Sequence, residues 1–330
     1  MATLETRVRL SHCRICKNQN HLKDATPNVL SIQKSVIWGN VGNEIARFPL
    51  QVLGFDVSTI NSVQFSNHTG YGKWKGQVLN ADDVAELFEG LRINNLLHFS
   101  HVLTGYIGSE SFLEKVGETV MEMKKSNPKL VYVCDPVMGD NGKLYVKEEL
   151  IPVYREKIVT LADIITPNQF ELEILTDSKV SSEEEAFIAI NKLHQKGVKT
   201  VVLSSSELGS NGLLVCLAST AANGFRQKYR LEIPYIDATF VGTGDLFAAS
   251  LLAWMHKDSD LKIALEKTMA TLQAVIRRTL AYATKIAEKG MRPTPAQMEL
   301  RLVQSKADIE NPQVSLKAQD VSLCNAILRT

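Results

Sequence analysis

Phe240-Val241-Gly242-Thr243-Gly244-Asp245-Leu246-Phe247 joins an extended run to an apolar helical pattern, with two glycines and one carboxylate at the junction. Gly242 and Gly244 permit a tight turn. The first backbone N–H groups of the following helix lack intrahelical partners and carry partial positive charge, so an oxyanion or phosphate fits there. Asp245, in the first helical turn, is placed to take a proton from a hydroxyl while those amides stabilise charge on a transferred phosphate. An aspartate that only complements the helix dipole gives the same short string, so the surrounding chain has to decide.

Around this turn, short β-rich runs alternate with helical patterns. Strands are expected near 28–33, 57–64, 97–104, 130–135, 162–166, 199–205, 212–218 and 228–235. Helices are expected near 43–54, 81–93, 109–126, 168–175, 182–196, 243–256, 259–289 and 294–304. In the 182–196 segment, Ala186, Ile190 and Leu193 recur at helical spacing behind Ser181 and Ser182 as caps, and Gly197 ends it. The alternation predicts an α/β fold: a central, mainly parallel β-sheet flanked by helices on both faces. No internal repeat and no Pro/Gly/Ser-rich linker divides the chain, so one domain is expected over 29–304. A flexible extension at 1–28 and a surface extension at 305–330 would flank it.

Composition narrows the function classes. The 330 residues are 45% hydrophobic and 22% charged, with a formal net charge of +1, which provides ample material for a core. That balance offers no electrostatic footprint for nucleic acid or an anionic membrane, so the expected partners are small molecules. Cys13, Cys16, Cys134, Cys216 and Cys324 are few, and no apolar run approaches the ~20 residues that span a bilayer. A reducing, cytoplasmic setting is expected. His12-Cys13-Arg14-Ile15-Cys16 and His21 begin like a zinc knuckle, but Thr26 stands where a fourth ligand belongs, which favours a mobile tail.

In doubly wound sheets, ligands bind beyond the carboxyl ends of the strands, and polar motifs fall at several such ends here. Val131–Cys134 leads into Asp135-Pro136-Val137-Met138-Gly139-Asp140, whose carboxylates either hold cations beside phosphates or cap the turn. Ala162–Ile165 leads into Thr166-Pro167-Asn168-Gln169-Phe170-Glu171, where helix capping competes with a role in arranging phosphate, water and metal. Val201–Leu203 delivers the hydroxyls of Ser204, Ser205 and Ser206. On the acceptor side, Phe65 and Tyr71 suit stacking on a heteroaromatic ring, and His68 and Thr69 suit bonding to its polar edges. A purely structural loop histidine is the alternative for His68. Tyr106 adds a wall.

Taken in order, Ser31-Ile32-Gln33, Gly42-Asn43, Phe48-Pro49-Leu50, Asn61 through Tyr71, Val133 through Val137, Thr166 through Glu171 and Gly242 through Leu246 resemble the pyridoxal kinase family of the ribokinase-like superfamily over about 28–315. The resemblance implies ATP-dependent phosphorylation of the 5′-hydroxymethyl group of pyridoxal, pyridoxine or pyridoxamine. Asp245 matches the family's catalytic base at the Gly242-Gly244 turn, and Thr69, Tyr106, Phe65 and His68 match its substrate pocket. Asp140, Tyr145, Thr166, Asn168, Gln169, Phe170, Glu171, Ser204, Ser205 and Thr243 match ATP-side positions, with Ile236-Asp237-Ala238 near the adenine. Asp135, Thr166 and Ser204 correspond to a monovalent cation region (K⁺ or Na⁺), with Glu171 added to the metal set. A divalent metal, Mg²⁺ or Zn²⁺, and a homodimer are further implications of the resemblance.

Gly139 through Tyr145 suits a flap, is shorter than in the animal enzymes and looks like the plant form. The sharpest departure is Lys34-Ser35, because the family reads Ser-His after Ile-Gln and that serine contacts pyridoxal. An ammonium is costly to bury unless paired or neutralised, so Lys34 is expected to point to water, to contact the substrate's phenolate or to impair binding. Weakened or altered substrate affinity is expected, and Lys34→Ser is expected to change the KM for pyridoxal. A hydroxymethylpyrimidine-type kinase and a B6- or nucleotide-binding homologue without turnover are the alternatives. Asn67 through Tyr71 counts against the first, and Asp245, Asp135 and Glu171 against the second.

Overall fold

Strand β1, Asn28–Trp38, buries Val29, Leu30 and Ile32 together with Ser31 and Gln33, so neither face meets solvent there, the pattern of a strand covered on both sides. The computed structural model describes residues 26–222 and 225–322. Residues 1–25, with the knuckle-like run, and Cys324 lie outside them.

After β1 come α1 (Asn43–Val52), β2 (Asp56–Asn67), β3 (Gly76–Val78), α2 (Ala81–Ile93), β4 (His101–Thr104), α3 (Glu110–Ser126) and β5 (Val131–Cys134). A hairpin of β6 (Gly139–Asp140) and β7 (Lys143–Leu144) precedes a helical stretch made of α4 (Leu150–Val153), a π turn at Tyr154–Ile158 and α5 (Val159–Leu161). Then follow β8 (Ile164–Ile165), α6 (Gln169–Thr176), α7 (Glu183–Gln195), β9 (Thr200–Ser206), β10 (Leu213–Ala222), β11 (Phe225–Pro234), α8 (Thr243–Asp258), α9 (Leu261–Ile286), α10 (Lys306–Glu310) and β12 (Gln319–Asp320).

The ten-stranded sheet has the order β12-β11-β10-β9-β8-β5-β4-β1-β2-β3. Pairing is parallel from β9 through β8, β5, β4 and β1 to β2, and antiparallel toward both edges. Successive residues point to opposite faces. Val102, Tyr132, Ile165 and Val201 pack under α2, α3, α6 and α7, whereas Leu103, Val133, Ile164 and Val202 pack under α1, α8 and α9. The expected two-sided α/β architecture is what the chain adopts. The strand order reverses between β1 and β4, and there the carboxyl ends open a crevice.

Three expectations need correction. Residues 294–304 form no long helix: Met298 N–H closes one turn on Thr294, and the chain then extends so that Leu300 and Leu302 enter a small core cluster with Ile45, Leu246 and Val275. Pro295 sits in that first turn, where proline is tolerated, so the break after it follows from the burial of Leu300 and Leu302 and not from the prolines. Conversely, the unforeseen helical stretch at 150–161 buries Tyr154, Ile158 and Val159, and its π turn breaks the 3.6-residue spacing by which helices are recognised. The segment after 305 is more than a surface extension, because Ile309 and Ala318 are core residues and β12 pairs with β11.

Candidate active site

Helix α8 starts at the crevice and carries Asp245 in its first turn. Its N-cap Gly242 has φ 88°, and a Cβ there would come within 2.2 Å of Ile45 Cδ1, so both conformation and packing require glycine. Asp245 is 2% exposed and accepts the Gly42 amide at 2.7 Å. The Lys34 ammonium stands 3.2 Å from Asp245 Oδ2 and 3.4 Å from Oδ1. Lys34 sits where the β1–β2 register slips, with Gln33 opposite Asn61 but Ser35 opposite Gln64, and such a bulge re-aims nearby side chains.

Across the turn, Asp135 follows β5 and accepts the Thr166 hydroxyl on Oδ1 at 3.3 Å. Its Oδ2 is buried without a partner among the described residues, and a Cβ on Gly244 would lie 3.6 Å from it. Burial, then the Asp245 carboxylate, push the Asp135 carboxyl up to about 7, against the pull of the Lys34 ammonium and the Thr166 hydroxyl. Two carboxylates, one ammonium and the free amides of the α8 start thus share one small, largely dry volume.

Glu171 behaves differently. Its Oε1 accepts the Met138 and Gly139 amides at 3.0 and 3.4 Å, and its Oε2 accepts the Asn168 amide at 2.9 Å. Asn168 completes a capping box by accepting the Glu171 amide, and it donates to the Gly139 carbonyl at 2.8 Å. These two residues therefore tie the loop before β6 to α6, which is the capping role weighed for them. Burial, then Asp135, raise the Glu171 carboxyl well above the usual carboxylate range. Among the described residues, no group of three His, Cys, Asp or Glu side chains is arranged to hold a metal.

Beyond Asp245, a cleft of about 730 Å³ opens between the β6–β7 hairpin, the end of β9 and α9. Asp140, Gln169, Phe170, Ser204, Ser205, Ile236, Ala238, Thr243 and Gly244 line it, together with Met269 and Gln273. Tyr145, Thr166, Asn168, Glu171 and Asp237 are not among its lining residues. Tyr145 is 55% exposed and Asp237 is exposed.

On the other side of the turn, Tyr106 is half-buried with its carbonyl accepting the Ser62 hydroxyl at 2.6 Å, and the Lys34 ammonium lies 5.7 Å from its ring centroid. Phe65 is half-buried and Thr69 exposed. A Cβ on Gly70 would lie 3.6 Å from Val241, so the His68–Tyr71 loop abuts the glycine turn. His68 accepts the Gly70 amide on Nδ1 at 3.1 Å and places Nε2 3.2 Å from Glu299 Oε1. Its ring packs against Tyr71 at 4.6 Å between centroids. Glu299 also accepts the Tyr71 hydroxyl at 2.8 Å and the Asn40 amide at 2.8 Å. Burial opposes ionisation of Glu299, but His68, the Asn40 amide and Tyr71 outweigh it and hold the carboxyl below its usual value. Burial, then Glu299, push Tyr71 up to about 12. His68 thus has a structural anchor, as its alternative reading allowed.

Sequence reasoning missed Glu299 and the Gly42 amide. Glu299 lies in a stretch read as helix and is separated from His68 by more than two hundred residues, so no local signal marks it. Gly42-Asn43 was visible only as part of the family series. The Asn43 amide donates to the Ile60 carbonyl at 2.9 Å and to Asn61 Oδ1 at 2.8 Å, locking the Gly42 turn onto β2.

Comparison with known proteins agrees with this geometry. The profile of the phosphomethylpyrimidine kinase family matches residues 51–290. The pyridoxal kinase of Homo sapiens is 54% identical over 303 residues, covering 88% of this chain and 97% of that protein. The pyridoxal kinase of Arabidopsis thaliana is 50% identical over 304 residues, covering 91% and 97%. Among solved structures, the pyridoxal kinase of Leishmania donovani in complex with ADP and pyridoxamine superposes with a TM-score of 0.82 at 38% identity, covering 89% of this chain and 99% of that one.

Proposed function

This chain belongs to the pyridoxal kinase family, and from that premise we propose that it moves the γ-phosphoryl group of ATP onto the 5′-hydroxymethyl group of pyridoxal, pyridoxine and pyridoxamine, a vitamin B6 salvage step. It is an ATP-dependent phosphotransferase with an alcohol acceptor. One observation carries the assignment of roles: Asp245, at the amide-rich start of α8, stands between a cleft able to take a nucleotide and an aromatic-walled acceptor loop.

Transfer needs in-line positioning and charge stabilisation more than covalent chemistry. Asp245 takes the proton of the acceptor hydroxyl. The hydroxyl oxygen bonds to the γ-phosphorus as its bond to the β,γ-bridging oxygen breaks, and ADP leaves. Gly242, Thr243 and Gly244 offer backbone N–H groups to the charge on the transferred group. Phe65, His68, Thr69 and Tyr106 bound the vitamer, while Asp140, Gln169, Phe170, Ser204, Ser205, Ile236, Ala238 and Thr243 bound the nucleotide. Asn168, Asp237 and Tyr145 join them only if the β6–β7 hairpin and its neighbours close.

A cation fits this reading. The orphaned buried oxygen of Asp135 is the donor that asks for one, and a hydrated Mg²⁺ needs only one or two carboxylates beside substrate phosphates. Asp135, Thr166 and Ser204 would hold the monovalent ion. Glu171, with both oxygens on amides, supports the site from behind. Bound cations neutralise phosphate charge. A homodimer is part of the same reading and is supported by exposed Ile37 and Trp38 at the end of β1 and Val78 on β3. A cytoplasmic setting is supported by the free thiols Cys134 and Cys216.

The Lys34–Asp245 pair favours one second reading, a vitamer or nucleotide binder in which the ammonium has silenced the base. Incubation with ATP and a panel of B6 vitamers and hydroxymethylpyrimidine, followed by mass spectrometry, decides. Phosphorylated vitamers are expected; binding without any product would overturn the kinase assignment.

A further inference from the structure

We propose that Lys34 makes the acceptor site select by the charge of the side arm beside the reacting hydroxymethyl group, favouring pyridoxine-type alcohols with a neutral arm over pyridoxamine-type alcohols with an ammonium. The proposal rests on the assignment of Asp245 as the group that meets the acceptor hydroxyl.

The Lys34 ammonium contacts both oxygens of Asp245, at 3.2 and 3.4 Å, and lies 5.7 Å from the Tyr106 ring centroid on the acceptor wall. A hydroxyl hydrogen-bonded to Asp245 sits about 3 Å from a carboxylate oxygen, hence within roughly 6 Å of the Lys34 nitrogen. In pyridoxamine the aminomethyl and hydroxymethyl groups occupy neighbouring ring carbons, so the amine cannot leave that neighbourhood while the alcohol reacts. Asp245 is 2% exposed and the Lys34 side chain 20% exposed, so water and salt screen the interaction little. With Lys34 absent, a substrate ammonium would meet an uncompensated carboxylate and be attracted. With Lys34 present, that carboxylate is already paired, so the attraction for a substrate ammonium is largely cancelled while a neutral arm is unaffected.

The lysine is held where it is by the fold. Gly42, at φ 56°, folds its loop over the Lys34 stem so closely that a Cβ there would come within 2.6 Å of Lys34 Cγ and 2.1 Å of the Lys34 carbonyl oxygen. The same glycine donates its amide to Asp245. A lysine present only to neutralise two buried carboxylates would weaken or strengthen all vitamers alike, so the ratio between vitamers separates the two roles.

The test is calorimetric binding of pyridoxine and of pyridoxamine, without nucleotide at neutral pH, to the wild-type protein, Lys34→Met and Lys34→Arg. The wild type is expected to prefer pyridoxine. Lys34→Met should raise the pyridoxamine-to-pyridoxine affinity ratio on the order of tenfold, and Lys34→Arg should keep the wild-type ratio. The same shift is expected in the ratio of kcat/KM values. If Lys34→Met fails to fold by circular dichroism, Lys34→Gln takes its place. An unchanged ratio in the neutral variant, or no binding of either vitamer to the wild type, would overturn the proposal. A ratio that shifts while no phosphorylated product ever forms would instead refute the kinase assignment alone.

Discussion

At the scale of single residues, the site is organised around one carboxylate with three neighbours of different kinds. Asp245 has a backbone amide from Gly42, an ammonium from Lys34 and, beyond Gly244, the unpartnered oxygen of Asp135. Asp245→Asn keeps size and one acceptor oxygen but gives up the charge that pairs Lys34 and cannot take a proton. Its kcat is expected to fall about 10²- to 10⁴-fold in protein that still folds by circular dichroism, and full turnover would remove Asp245 from the mechanism. Gly42→Ala brings a Cβ against the Lys34 carbonyl in a left-handed backbone position, so both stability and turnover should drop. A thermal melt should register a loss of about 1–3 kcal/mol; a melt matching the wild type would show that the loop moves aside freely.

At the scale of elements, β4 links the crevice to the opposite end of the sheet. Its last residue, Thr104, accepts the Asp135 amide through its carbonyl, while its first, His101, is buried against Phe55 and His256. Burial, then His256, push His101 down to about 4 from an ordinary 6.5. The folded protein therefore holds this imidazole neutral, while the unfolded chain binds a proton below about 6.5. Its contribution is intact above that pH and is lost as pH falls toward 4, amounting to about 3 kcal/mol at the acid limit. His256, also lowered by burial and then by Lys257, adds in the same direction. Urea unfolding at pH 7.5 and pH 5 should show a steeper acid loss in the wild type than in His101→Gln, and parallel losses would place the acid sensitivity elsewhere.

At the scale of the whole molecule, the carboxyl-terminal segment closes the side of the sheet covered by α1, α8 and α9. Ile309 and Ala318 join that core, and Glu266 accepts the Lys317 ammonium at 2.9 Å and the Ala318 amide at 3.1 Å. A chain ending at residue 304 would uncover an isoleucine-sized hole and strand a largely buried carboxylate. A loss of about 4 kcal/mol or more is expected in the melt, and an unaltered melt would make the segment dispensable. Light scattering tests the dimer: a monomeric mass at micromolar protein would sink it. The α/β alternation, the two-sided sheet and the Gly-Thr-Gly-Asp turn were legible in the chain because they are written in local periodicity and in glycines that only certain backbone conformations need. The capping box of Asn168 and Glu171 was legible too, though not that capping would occupy both of Glu171's oxygens. Contacts between distant segments were not legible: Glu299 on His68 and Tyr71, Gly42 and Lys34 on Asp245, and the core role of Ile309 depend on which strands lie side by side. Sequence by itself determined the elements and the chemistry that each strand end offers. Only the tertiary structure decided which of those groups meet, because the energy of a buried charge is set by neighbours that arrive from elsewhere in the chain.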